Sequence, residues 1–294
     1  MDVPVIDRSS ALRAERVPFV HARVVLAERP TSAKPGDEAL VLHDGTIEGF
    51  VGGTCAEATV RDQSLRVLQT GESFLLRITP EPEPEQPGKV VVHNHCLSGG
   101  TIEIFLEPEL PVPMVVVAGD APIARALVVL GKHLGYDLQT FEGQVPPDAS
   151  AVVVASHGRD EEPVLCAALE AGVGYVGLVA SPRRGAAVVA SLDVDEDLKQ
   201  RIDVPAGLDI GARTPEEVAL SILAGIIEVR PRPASPPAAN EPTAAAGSAI
   251  DPVCGMTVAT VDTSLHVEHG DARVWFCGTG CQKAFTADPA AFGA

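Results

Sequence analysis

Four short strand-like segments, three of them apolar runs, constrain this chain more than any other feature. They are MVVVAG (114–119), DLQTFE (137–142), AVVVAS (151–156) and YVGLVAS (175–181), and helical patterns alternate with them. Apolar runs bounded by helices suit the strands of a parallel sheet covered on both faces. Between the first two, Ile123, Leu127, Leu130 and Leu134 recur at helical spacing and Gly135 closes the helix. The last helix has its start written in Thr214, Pro215 and Glu217, which are a cap, a first-turn proline and a carboxylate able to reach back. A Rossmann-like parallel-sheet domain is predicted over 113–230.

Upstream the pattern is mostly of strands. HARVVLA (21–27), EALVLH (38–43) and TIEGFV (46–51) predict strands, the last two joined at Asp44-Gly45, a hairpin signal. A helix over about 56–69, closed by Gly71, precedes strands at SFLLRIT (73–79), KVVVHNH (89–95) and TIEIFLE (101–107). The acidic, proline-rich segment 80–88 reads as a solvated surface loop. This makes an α+β domain over 17–108, and the prolines at 108, 111 and 113 separate it from the Rossmann-like domain. The stretch 230–248, RPRPASPPAANEPTAAAGS, cannot bury a core and suits an extended spacer. A linker is therefore assigned to 231–248 and a small C-terminal module to 249–294. The expected fold class is α/β: an N-terminal α+β domain, a Rossmann-like domain and a small metal-stabilised module.

Composition narrows the partners. A net charge of −18, with only 22 Lys and Arg, opposes nucleic-acid binding. No stretch approaches the roughly 18 apolar residues of a membrane helix, and the first sixteen residues hold no secretory apolar run. A cytoplasmic protein with no membrane partner is expected. There the six cysteines point to metal ligation or reactivity rather than to a disulfide frame.

Three of them, Cys254, Cys277 and Cys281, fall in the C-terminal module. So short a segment usually needs a cross-link to fold, and soft thiolates favour zinc or copper(I), with His266 or His269 as a fourth ligand. A module with three buried thiols that folds by packing Trp275, Phe276 and Phe285 onto the tether or a partner is the alternative. In the body, Cys55 follows Gly52 and Gly53 at a strand-to-helix turn, where the helix dipole favours thiolate. Cys96 precedes Gly99 and Gly100, whose missing side chains would admit a large ligand. Arg183 and Arg184 open a helix and suit a phosphate, unless they are simply a solvated pair. Ser156-His157-Gly158 lies at a strand end, and Cys166 reads as core. The turn Gly119-Asp120-Ala121 occupies the place of a dinucleotide-binding G-x-G-x-x-G/A, with Glu142 near where a ribose-binding acid would fall. Ala121 and the charge of Asp120 both oppose a pyrophosphate there, which weighs against an NAD(P)-dependent oxidoreductase.

Two resemblances follow from these residues. DPVCGM (251–256) and the FC-x-x-x-C-x-x-x-F run (276–285) resemble the YHS domain, which implies a metal in the tail. GFVGGTCAE (49–57), HNHCLSGGTIEIFLEP (93–108), YVGLVASPRRG (175–185) and PAGLDIGARTPEEVALSILAGII (205–227) resemble the XdhC/CoxF-type accessory proteins of molybdenum hydroxylases, over about 17–229. The CLSGGT form looks more like the carbon monoxide dehydrogenase branch than the xanthine branch. This resemblance implies a non-catalytic chaperone that transiently binds the molybdenum cofactor (molybdopterin). It would assist sulfuration of the cofactor or its insertion into a molybdenum hydroxylase apoenzyme, with a sulfurtransferase and a second copy of the chain as further partners. The implied cofactor site comprises Cys55, Gly52, Gly53, Cys96, Gly99, Gly100, Arg183 and Arg184. The sequence departs from the family at Thr54, where glycine is expected, and at 30–36, where PTSAKPG stands for a Ser-Pro-Arg-rich loop. A metal-delivery or sensing adaptor acting through the tail is the competing reading.

Overall fold

The computed structural model describes residues 4–84, 86–94, 100–230, 247–270 and 272–292. Its internal contacts divide the chain into one unit made of Met1–Pro111 with Arg232–Ala294, and a second made of Val112–Pro231.

The first unit opens with α1 (Val5–Ala14), β1 (Phe19–Ala27), β2 (Glu38–Leu42) and β3 (Ile47–Gly49). There follow α2 (Thr54–Thr70), β4 (Phe74–Thr79), β5 (Lys89–His93) and β6 (Ile102–Glu109). One sheet runs β3–β2–β1–β6–β4–β5. It is antiparallel except at β4 and β5, which pair in parallel across the acidic 80–88 loop. Alternate residues such as Val20, Ala22 and Val24 of β1, with Ile104 and Leu106 of β6, form its buried face under Val60 and Val67 of α2. The helix ends where Gly71 takes a left-handed conformation, φ 70°, and its N–H reaches Val67 O. Helix α1 has no counterpart in the apolar periodicity. Its Leu12 is nonetheless buried with Phe19 and Leu40.

The second unit is built from the strands β7 (Met114–Ala118), β8 (Asp137–Thr140), β9 (Ala149–Val154), β10 (Tyr175–Leu178) and β11 (Ile202–Asp203). Its helices are α3 (Pro122–His133), α4 (Glu161–Glu170), α5 (Pro182–Ser191), α6 (Glu196–Lys199) and α7 (Pro215–Val229). The sheet is parallel throughout, in the order β11–β10–β9–β7–β8. Alternate residues of β7 serve opposite faces: Met114 and Val116 meet α4, whereas Val115 and Val117 meet α3 and α7. Cys166 of α4 packs against the first of these clusters, as a core residue should. The start of α7 is a complete capping box, Thr214 accepting from the Glu217 N–H while the Glu217 carboxylate accepts from the Thr214 N–H.

The tail belongs to the first unit. Strands β12 (Ser248–Ile250) and β13 (Thr257–Ala259) form one antiparallel pair, β14 (Leu265–His269) and β15 (Ala272–Phe276) another, and α8 (Thr279–Ala287) follows. Met256, Val258 and Trp275 pack on Ala58 of α2. The tail thus lies against the N-terminal body, on the side of α2 that the sheet does not cover. The proline-rich stretch 231–246 falls outside the described residues. Among the described residues no helix is long and apolar enough to cross a membrane.

Candidate functional site: a thiol-bearing cavity and a docked cysteine cluster

The end of β3 leads through Gly52 and Gly53 into α2. Gly52 takes φ +140°, a conformation that favours glycine, and turns the chain toward the helix. Gly53 stands at the N-cap in extended conformation, and no side chain caps the helix. The first turn, Thr54, Cys55 and Ala56, instead lines a cavity of about 770 Å³. Arg29, Thr31 and Ser32 line another wall, Thr79 and Asn94 a third, and Gly278, Thr279 and Gly280 of the tail a fourth. Arg29 carries the only charge among the described lining residues. Cys55 and Gly53 of the expected set therefore meet at this cavity. Sequence reasoning does not single out Arg29, and it marks Thr31 and Ser32 only as part of the departure from the family at 30–36 and Asn94 only within the 93–108 motif.

Gly100 also lines the cavity, but its lack of a side chain has a different cause from the one expected. A Cβ built there would overlap the carbonyl oxygen of Pro30 and fall 2.7 Å from that of Glu28. Strand β6 is entered by backbone running directly against the 28–30 segment, joined by the Glu28 N–H to Thr101 O at 2.8 Å. Close packing of chain on chain, rather than room for a ligand, accounts for glycine here. Cys96 and Gly99 lie outside the described residues.

The tail docks on two fronts. At the β2–β3 turn, Thr263 Oγ1 donates to Asp44 O at 3.1 Å. Gly45, at φ +81°, leaves room for Val261 and Thr263, each of which a Cβ would meet within 3 Å. At the N-terminus of α2 the tail brings Cys254, Cys277 and Cys281 together with Asp251, their ligand atoms all within 4.8 Å of one another. Cys277 Sγ is 3.5 Å from that of Cys254 and 3.6 Å from that of Cys281. A tetrahedral site with metal–sulfur bonds of about 2.3 Å has edges of about 3.8 Å, and the two separations from Cys277 are close to that spacing. Asp251 is fully buried, and accepts from the Val253 and Cys277 N–H groups at 2.9 and 2.8 Å. Its part in the cluster is new relative to the sequence reading; an acid three residues before Cys254 is the available signal.

His266 does not join the group. Its Nδ1 lies 2.8 Å from Ser264 O, and its ring lies 4.7 Å from that of Trp275. His269 sits edge-on to Phe285. The thiols themselves differ. Hydrogen bonding to Cys277 draws Cys254 below the ordinary thiol value despite burial. Hydrogen bonds to Cys254 and Cys55, with burial, hold Cys277 well above it, and burial beside the charge of Asp251 pushes Cys281 up to about 12. A bound cation would offset the charge that the cluster otherwise resists.

In the second unit the turn after β7 is closed by its own charges. Asp120 Oδ1 pairs with Arg159 at 2.6 Å, Asp120 O accepts from Arg125 at 2.6 Å, and Ala121 is buried. A cavity of about 420 Å³ lies beside it, lined by Gly119, Asp120, Ser156 and Arg159. His157 is held at φ +56° in the loop that leads to α4. Arg184 is not a free phosphate contact. Its guanidinium spans both oxygens of Glu161, at 2.6 and 3.1 Å, and also reaches Val179 O at 3.1 Å. Arg183 is exposed on the first turn of α5.

Glu161 is buried, and it also accepts from Gly158 N–H at 2.8 Å and from the Ser156 hydroxyl at 3.3 Å. Burial raises this carboxyl, but Arg184, Gly158 and Ser156 outweigh burial and hold it below its ordinary value. A depressed acid stabilises the fold above its unfolded pKa of about 4.3 and loses that contribution as pH falls through the lower folded value. Glu161→Gln is therefore expected to cost about 2 kcal/mol at pH 7, since it strips charge from a buried acid whose partner is half-exposed. Denaturant unfolding of parent and variant should converge as the pH falls below about 4. A constant difference across pH would reject the ion-pair account.

Residues 12–79 match the XdhC and CoxI family, and residues 115–226 match the XdhC Rossmann domain. Neither match extends into the tail. The chain is 26% identical over 257 residues to "Uncharacterized protein YqeB" of Escherichia coli (strain K12), covering 77% of this chain and 46% of that protein. It is 25% identical over 262 residues to the "Molybdenum cofactor insertion chaperone PaoD" of the same organism, covering 70% of this chain and 82% of that protein. Against a protein of Bacillus subtilis (strain 168) named as a probable xanthine dehydrogenase subunit, the identity is 31% over 169 residues, covering 56% of this chain and 48% of that protein. The chain thus spans about half the length of the first and third of these relatives. Together the two matches take in more than half of the chain, and this protein belongs to the XdhC and CoxI family.

Proposed function

We propose that the chain is an insertion chaperone that holds the molybdenum cofactor in the cavity at the N-terminus of α2 on its way to a molybdenum hydroxylase apoenzyme. The observation that carries this reading is Cys55, a thiol in the first turn of a helix that no side chain caps and in the wall of a cavity of about 770 Å³. That volume lies within the roughly 300–1,000 Å³ of small-molecule pockets. The helix N-terminus favours the thiolate, and a soft sulfur suits molybdenum. Arg29 and the first-turn N–H groups of α2 offer the cofactor's phosphate its contacts, a role from which Arg184 is withdrawn by Glu161. When bound, the cofactor would carry the redox-active metal to the client enzyme; the chain's own residues hold and shield it. Sulfuration by a sulfurtransferase fits the same stage. A relative matched over 82% of its length bears the name of an insertion chaperone, which supports the assignment.

The test is purification from cells rich in molybdenum cofactor, with released pterin assayed by fluorescence. Cys55→Ser is expected to retain about tenfold less pterin than the parent, the loss typical of disturbing a metal's surroundings. Equal retention would remove Cys55 from the site. A chain ending at Arg230 lacks the wall formed by Gly278, Thr279 and Gly280 and is expected to retain less than the full chain.

A second reading rests on the cysteine cluster. In it Cys254, Cys277 and Cys281, with Asp251, hold one zinc or copper(I) ion, and the chain delivers or senses that metal. Absence of pterin from parent and variant alike would leave the metal role alone.

A further inference from the structure

The tail cluster and the cavity thiol are neighbours. Cys55 packs in one cluster with Cys254, Cys277 and Cys281, and a Cβ placed on Gly278 would stand 3.5 Å from Cys55 Sγ. Three tail thiols thus form a compact group with Asp251, and the α2 thiol packs beside that group without belonging to it. The fourth donor in the compact group is Asp251, yet both its oxygens already accept backbone N–H groups, from Val253 and Cys277. Soft ions prefer sulfur to carboxylate oxygen. Cys55 is the sulfur packed beside the tail thiols.

We propose that Cys55 is the fourth ligand of a thiophilic d10 ion held by Cys254, Cys277 and Cys281, with Asp251 acting as a positioning residue for the loop. The ion then ties α2 to the tail. Because Cys55 also lines the cavity, an ion bound this way withdraws that thiol from anything the cavity holds. Metal occupancy and cofactor retention become mutually exclusive at Cys55. The exclusion rests on the cofactor reading given above, whereas the ligand set does not.

Docking supports the placement independently of the thiols. Ala58 of α2 is buried against Met256, Val258 and Trp275, and the Thr263 hydroxyl holds the β2–β3 turn. The cluster is therefore presented to Cys55 by a packed interface and not by the ion alone.

Cobalt(II), added to the reduced full chain, reports thiolate count through its sulfur-to-metal charge-transfer band. Cys55→Ser is expected to lose about a quarter of that intensity, four thiolates becoming three. Trp275 emission unchanged between parent and variant would show that the tail stays docked. As a second measurement, zinc is expected to slow alkylation of Cys55 in the parent by about tenfold or more, read by peptide mass spectrometry, because a ligated thiolate is not free to attack. Equal charge-transfer intensity, or alkylation of Cys55 at the same rate with and without zinc, would overturn the proposal. The cofactor reading fails separately. Full charge transfer with lost pterin in Cys55→Ser rejects the metal role alone, and reduced charge transfer with unchanged pterin rejects the cofactor role alone.

Discussion

Replacing Cys277 by serine is expected to weaken binding of zinc or copper(I) to the full chain by more than about 100-fold. Disturbing the groups that merely surround a metal costs about 10- to 100-fold in affinity, so loss of a direct ligand should exceed that range. Cys277 is the thiol with the most to lose, since it touches both Cys254 and Cys281 and is itself buried. The same change should loosen the tail, because metal binding and the folding of a small module share one free energy. Trp275 is the only tryptophan in the chain and packs on Ala58, so its emission reports docking directly. Competition against a chromophoric chelator measures the affinity. A variant that binds within about threefold of the parent, a loss far below that range, would show that the cluster is not the metal site.

The second unit is legible in the sequence because its information is local. Apolar runs name the parallel strands, and Thr214 to Glu217 carries its cap within four residues. Helix α1 escapes such a reading because Val5–Ala14 has almost no apolar stripe and Leu12 is its one fully buried large side chain. The docking of the tail is illegible for a different reason. Asp62 and Gln63 on α2 are polar, yet both are buried. Burial raises the Asp62 carboxyl despite Arg66 and Gln63 beside it. No periodicity announces a helix covered on both sides when one covering element follows far along the chain.

Site residues divide along the same line. The three tail cysteines are legible as a cluster because residue type and spacing suffice. The fourth position is not: His266 has the right chemistry, but its strand turns the ring onto Trp275, whereas Asp251 and Cys55 are brought close by folding. Arg184 fails as a phosphate contact for the same reason. Its partner Glu161 lies 23 residues away, and only the parallel sheet brings the ends of β9 and β10 together.

Gly100→Ala offers the sharpest separation between a packing role and a ligand role. If glycine were present to admit a cofactor, alanine would reduce pterin retention and leave the fold intact. The backbone gives the opposite expectation. An added Cβ meets the carbonyl oxygens of Glu28 and Pro30, which are backbone atoms and cannot swing aside as a side chain would. Strand β1 and the loop beyond it must move, and the bond from the Glu28 N–H to Thr101 O moves with them. The expected cost is about 3 kcal/mol, the upper end of the usual range for overpacking. Because the first unit includes the docked tail, Trp275 emission during denaturant unfolding follows that unit, and its midpoint should fall while the slope is unchanged. Loss of pterin would then accompany loss of stability instead of preceding it. A variant as stable as the parent but empty of pterin would return Gly100 to the cofactor site.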